Sequence, residues 1–372
     1  MSRDGSAKAT ASRRASAGPP YPRPEVLTAH DLGKGRLEPG IPDGRIQKVL
    51  HIDVTGAPTN LLGRLLVGSY ITGQDQVLVT ARNGLSDAQR QEIHRVVNRT
   101  LGMSVVGDTP TAVEVQNFVD PGKHELPRLL HRVVQMLRAE LAVCRAALVE
   151  KEAPQLQVIE NIEEEIDRFY LLMVRQLLLS SDNPKIARSI DVESHHYQIG
   201  DRLVAKMLEV IGDLVEGIGN ELEENLPGLR RMPLPVVHAL AMRVERFDKL
   251  LTRTMDAFGH LSVVEANGAL NVINELLPNE APLGQEIWRR VPSRKTAVAA
   301  QRIAYNLDMA LEMLIIVNEV TINRGVEPEA ATPPECRVHA GARGSVSSGK
   351  VAHSEITILS AAPATSATSE AA

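Results

Sequence analysis

Two carboxylates stand four residues apart in the run Arg202-Leu-Val-Ala-Lys206-Met-Leu-Glu209-Val-Ile-Gly-Asp213. Positions i and i+4 share one helix face, so Glu209 and Asp213 repel each other unless a cation sits between them. An earlier acidic segment, IENIEEEIDRFY, repeats the problem more strongly. There Ile159, Ile162, Ile166, Phe169, Tyr170 and Met173 form an apolar stripe, Glu160, Glu163 and Asp167 lie on one flank, and Glu164 lies just beyond. Oxygen-rich clusters of this kind suit hard or borderline metal cations. At about 100° per residue, Val204, Met207, Leu208, Ile211, Val215 and Ile218 fall in one stripe, with Glu209 and Asp213 nearly opposite, beside Arg202 and Lys206. The pair therefore belongs on the outer face of a bundle. Two readings stay open: a solvated face on which Lys206 and Arg202 serve as ion-pair partners, or a metal site to which both acidic segments contribute.

Other chemistry has no comparable anchor. There is no G-x-S-x-G, no phosphate-binding G-x-x-x-x-G-K-[ST] and no G-x-G-x-x-G, so hydrolase and nucleotide chemistry lack a starting point. Two cysteines, Cys144 and Cys336, make neither a disulfide framework nor a zinc spacing, and a reducing, cytoplasmic setting follows. His195-His196 opens a helix and reads as a metal contact or as a solvated N-terminus. Trp288, the single tryptophan, beside Arg289 and Arg290, is either a cap on the base of a bundle or an anchor facing a partner. A formal charge of −5 gives no global case for nucleic acid. No stretch is long and apolar enough to span a membrane.

The elements that must hold these residues are mostly helices. Aromatic residues are only 3% of the chain, so the core must be aliphatic, which suits helix-on-helix packing. Residues 1–44 and 326–372 are rich in Ser, Ala, Gly and Pro without a period and are expected to be disordered. Residues 45–120 read as a small α/β module. Strands are expected at RIQKVLHIDV, QVLVTA, MSVV and AVEVQN, and a helix at DAQRQEIHRVVNRTL is opened by Ser86 with Gln89 as its capping-box partner. From Pro121 onward six long helices are expected, near His124–Glu150, Pro154–Ser181, Ser194–Glu224, Pro235–Gly259, Ser262–Leu277 and Ser293–Asn323. A break at Pro227-Gly228 splits them three and three, giving one three-helix unit over 121–228 and a second over 229–325. The fold class is mainly α, with tandem antiparallel three-helix bundles after a small α/β N-terminal module. The run YLLMVRQLLLSS is apolar nearly all round and is expected to be deeply buried.

Two three-helix units, an acidic second helix carrying E-E-x-D-R-x-Y and a third helix reading R-L-V-A-K-x-L-E-x-I-G-D together resemble the PhoU family of phosphate-transport regulators. The resemblance covers about residues 121–325 and is strongest toward archaeal members, which place a small module, often SpoVT/AbrB-like, ahead of the bundles. Leu208, Glu209, Ile211 and Asp213 match the family's L-E-R-I-x-D signature, with Val210 in place of the Arg. Glu164, Glu165, Asp167, Arg168 and Tyr170 match its second-helix segment. In the second unit Gln301 and Tyr305 replace the two acids, which confines a metal to the first unit, although Asp308 and Glu312 follow the archaeal pattern. VTGAPTNLL keeps only a remnant of an AbrB-type hairpin.

The resemblance implies a non-enzymatic, cytoplasmic regulator of phosphate uptake with no integral membrane segment. It would act on a phosphate ABC transporter component or a signalling protein, and homodimers are compatible with it. A divalent or trivalent metal ion would be held by Glu209 and Asp213 with Glu160, Glu163, Glu164 and Asp167. Two alternatives from other classes are a DNA-binding transcriptional regulator using the 45–120 module and a metal-free helical adaptor.

Overall fold

The computed structural model describes residues 28–31, 37–40, 48–151, 155–192, 194–277 and 280–327. Most of both tails expected to be disordered lies outside these residues, as does Cys336. Within the first tail, β1 (Thr28–Asp31) pairs antiparallel with β2 (Leu37–Gly40).

From Val49 the chain builds an α/β layer and then a helical one. The strands are β3 (Val49–Asp53), β4 (Gln76–Thr80), β5 (Met103–Asp108) and β6 (Ala112–Asn117). They are ordered β3-β4-β6-β5, with β3 and β4 parallel and the other pairs antiparallel. The parallel pair needs a crossover, supplied by α1 (Thr59–Ile71). Alternation then decides the faces: Val77 and Val79 of β4 and Val113 and Val115 of β6 turn inward, onto Leu62, Leu66 and Tyr70 of α1 and Ile93 and Val96 of α2 (Asp87–Asn98). Ser86 and Gln89 form the expected capping box at the start of α2. The helix α1 was not expected. Its inward Leu62 and Leu66 are flanked by exposed Leu61 and Leu65, which blurs the period, and its Gly63 and Gly68 are weak helix formers. The VTGAPTNLL run supplies the β3–α1 turn and the first turn of α1, so it makes no β-hairpin.

The helical layer comprises α3 (Leu126–Glu150), α4 (Leu156–Asp182), the short α5 (Pro184–Ser189), α6 (His195–Glu224), the one-turn α7 (Leu226–Leu229), α8 (Leu234–Gly259), α9 (Val263–Leu276), α10 (Glu280–Arg290) and α11 (Arg294–Gly325). The six long helices fall where the periodicity puts them; α5, α7 and α10 are additions. In the first half α3, α4 and α6 pack on one another, and in the second half α8, α9 and α11 do. First helices meet across the halves, α3 on α8, and so do third helices, α6 on α11. One hydrophobic core therefore runs through both, from Leu137 and Ile166 through Leu208 and Ile211 to Val244, Leu307 and Leu314. Polar ties cross it. Asn318 of α11 donates to the Thr254 hydroxyl of α8 at 2.9 Å, and Arg324 of α11 pairs with Asp201 of α6 at 2.7 Å, both side chains only 8% exposed.

The C-terminal half of α4 is buried as its composition requires. Leu172, Met173 and Leu177 enter the helical core, while Leu171 packs against the α/β core. Between them Arg175 is fully buried, stacks on the Tyr70 ring at 5.1 Å and donates to the carbonyls of Tyr70 and Gln74. Its neighbour Gln176 donates to the carbonyls of Pro121 and His124 at 2.7 Å each. Gly73 turns the chain here with φ +84°, and a Cβ on it would come within 2.4 Å of Leu179. These contacts fix the α/β module against the helix that carries the acidic cluster.

Candidate functional site

The acids expected from spacing converge along the line where α4 packs on α6. Glu163 and Asp167 face Glu209, Asp213 and Glu216 across it, as their mutual effects on ionisation require. Glu160 adds to the field at Glu216. Glu164 is exposed.

The face is less solvated than the helix wheel of α6 alone implies. Asp213 is exposed, but the Glu209 side chain is only 12% exposed and that of Asp167 16%. The packing of α4 against α6 covers them, a tertiary effect outside the reach of one helix's periodicity. Protein cations answer part of the repulsion. Lys206 pairs with Glu209, and Arg99, the C-cap of α2, reaches over from the α/β module to pair with Asp167. Arg202 does not pair here; it lies over the Tyr170 ring at 5.2 Å, as Lys206 also does.

The remaining acids ionise less readily than free carboxylates. Burial, and then the nearby charges of Asp167, Glu216 and Asp213, push the Glu163 carboxyl up to about 7. Asp213, though exposed overall, is held above the usual carboxylate range by partial burial of its carboxyl and then by Asp167. Glu209 and Glu216 are raised as well, first by burial.

Beneath this layer lies a residue that the spacing argument missed. Glu140 of α3 is fully buried, and neither of its carboxylate oxygens has a hydrogen-bond partner. Burial, and then Glu163 and Glu216, push it up to about 9. Its signal was in the sequence: Glu140 sits three residues after Leu137 and four before Cys144, both buried, so an acid interrupts the apolar stripe of α3. Glu216 lies one residue past Val215 of the apolar stripe and could have been found from the same wheel. Arg99 could not, because it comes from another element 68 residues away from its partner.

The cluster is acidic and partly dry, yet among the described residues no three Asp, Glu, His or Cys side chains are gathered into a ready metal cage. His196 stands apart, exposed and 3.7 Å from Glu327. Cys144 is buried, and burial pushes its thiol up to about 12. In the second half Asp308 pairs with Arg243 of α8 at 3.1 Å, Glu312 and Tyr305 are exposed, and Gln301 is half-buried.

No protein-family model matches this chain, and no curated protein does. Among solved structures it is similar to the phosphate transport system regulatory protein PhoU from Streptococcus pneumoniae, with a TM-score of 0.43, 14% identity, and coverage of 53% of this chain and 91% of that one. Among the described residues no helix is long and apolar enough to cross a membrane.

Proposed function

We propose that this chain is a non-enzymatic, cytoplasmic regulator of phosphate uptake, acting by presenting helical faces to a phosphate transporter component or a signalling protein. The observation that supports this most is the Leu208-Glu209-x-Ile211-x-Asp213 signature of α6 set against Glu163 and Asp167 of α4 in a three-helix unit that a second unit follows.

The residues fit a cation by charge and environment. Glu140 has two buried oxygens without partners, and Glu163 lies among the like charges of Asp167, Glu216 and Asp213, which a cation would offset. A divalent or trivalent metal ion would be held by Glu163, Asp167, Glu209 and Asp213, with Glu160 and Glu164 at the margin. It would supply the positive charge that lets these acids ionise together and would fix α4 against α6. A metal-free form of the same role is favoured by one observation: Lys206 and Arg99 already sit on Glu209 and Asp167.

Two measurements test the reading. Tagged full-length protein, recovered from cells grown at high and at low phosphate, should bring down a phosphate transporter component or a phosphate-signalling protein in one condition. Recovery of neither in both conditions would sink the regulatory role. Elemental analysis of chelator-free protein separates the two forms. Metal in the wild type but not in Glu209→Ala/Asp213→Ala supports the cation, and equally little in both supports the adaptor.

A further inference from the structure

A second face, remote in sequence from the acidic cluster, is built from the helices α8, α10 and α11. Trp288 of α10 is 52% exposed, Tyr305 of α11 61% and Met242 of α8 52%. They flank two adjoining hollows, one of about 700 Å³ beside Trp288 and Tyr305 and one of about 300 Å³ beside Met242 and Arg246. The hollows share Arg243, Leu283 and Asp308, so they form one groove, with an apolar floor of Leu283, Ala304, Leu307 and Phe247. Large exposed aromatic and Met side chains around an apolar hollow are the composition of an interface centre, not of an idle surface.

The charge around the groove selects the occupant. Its acids are already matched: Asp308 by Arg243 and Glu286 by Arg290. Arg302 is matched by Glu221. Arg246, exposed and lining the inner hollow, and Arg289, exposed beside Trp288, have no ion-pair partner among the described residues. The unmatched charge is therefore positive. A second copy of the chain meeting this patch through a two-fold axis would bring the same arginines toward each other, which disfavours self-association here. An acidic segment with apolar side chains satisfies both the floor and the rim.

The position in the fold is informative too. Gln301 and Tyr305 of α11 line this groove, on the helix that packs against α6. The second unit thus carries an aromatic and arginine surface, and the first an acidic one.

We propose that the α8–α10–α11 groove is a docking site for an acidic, apolar peptide segment of a partner protein, with Trp288 and Tyr305 as anchors and Arg246 reading a carboxylate. The inference does not depend on a role in phosphate uptake or on metal at the other face. To test it, short random peptides displayed on phage are selected against the immobilised full-length protein, and the enriched ones are synthesised without tryptophan and with a fluorescent label. The expected peptides combine apolar residues with Asp or Glu and shift the emission of Trp288, the single tryptophan. Their affinity, read by anisotropy, falls about tenfold or more in Tyr305→Ala and in Arg246→Glu, both changes at exposed side chains, and is unchanged in Glu209→Ala/Asp213→Ala.

Four results overturn the proposal: no enrichment; enriched peptides that are basic or leave Trp288 unperturbed; binding insensitive to both substitutions; and competition by a single-stranded oligonucleotide. A fifth does so as well, namely a dimer in sedimentation that dissociates on Tyr305→Ala, because it would assign the groove to a second copy.

Discussion

Glu140→Gln isolates the physics of the acidic cluster. The Glu140 carboxyl ionises near 4.5 in an unfolded chain and near 9 in the fold. At pH 7 folding must therefore put a proton on it, at about 1.4 kcal/mol for each of roughly 2.5 pH units, or about 3 kcal/mol in all. The folded-state value is the higher one, so its contribution to stability is fully present below about 4.5 and is lost as pH rises, until the folded group itself ionises near 9. Glutamine has nearly the same shape and never ionises, so it removes this slope. Its amide still needs partners in a dry site, an offset of about 1–3 kcal/mol that does not change with pH. Urea unfolding of both proteins, in chelator, at pH 5.5, 7 and 8.5 measures the difference. The variant should gain on the wild type by about 4 kcal/mol across that range. A difference that stays constant with pH would refute the assignment of a buried, protonated Glu140, whatever the absolute stabilities.

Three further outcomes follow from the contacts. Asp201→Ala leaves the buried Arg324 guanidinium without its carboxylate and should cost about 3–5 kcal/mol in denaturant unfolding, much of it regained in the Asp201→Ala/Arg324→Met double variant. Arg175→Met strips the carbonyls of Tyr70 and Gln74 of a charged donor and should cost about 2–3 kcal/mol, with faster proteolysis between the α/β module and α3. Ser86→Ala removes the hydroxyl that accepts from the Gln89 amide and should lower stability by about 1 kcal/mol, read from the same unfolding curves.

What could be read from the sequence was what is encoded locally. The capping box at Ser86 and Gln89 and the stripes of Leu, Ile and Val set the helices they belong to, with ends within a few residues. The elements missed are those whose pattern is blurred or short. In α1 apolar residues point both ways, and α10 has Pro282 in its first turn and a largely charged surface. The candidate site divides along the same line. Glu209, Asp213, Glu163 and Asp167 announce themselves by spacing on single helices. Their cover, and the Arg99 that pairs with Asp167, come from the packing of separate elements. Trp288 could be a cap or an anchor by sequence alone; its exposure follows from α10 lying on the outside of α8 and α11.

The cluster also bears on why such an arrangement exists. Repulsion between Glu209 and Asp213 calls for a cation, and at the rim the protein supplies its own in Lys206 and Arg99. Were structure the sole demand, the inner layer would need no acids. A leucine at position 140 would continue the stripe of Leu137, Leu141 and Cys144 and would bury its side chain at a gain of about 1.5–3 kcal/mol. The chain instead holds there a carboxyl with two unpartnered oxygens, next to Glu163 and Glu216, which raise it further. Buried polar groups left without partners are rare in folded proteins, and a carboxyl among them calls for an explanation. On the reading proposed above, the explanation is a demand for positive charge, delivered where α3, α4 and α6 meet. A cation bound at Glu163 and Asp213 would turn the destabilising layer into a cross-link between those helices. Stability would then rise with cation concentration in the wild type and far less in Glu209→Ala/Asp213→Ala, which lacks two of the carboxylates that would hold the ion.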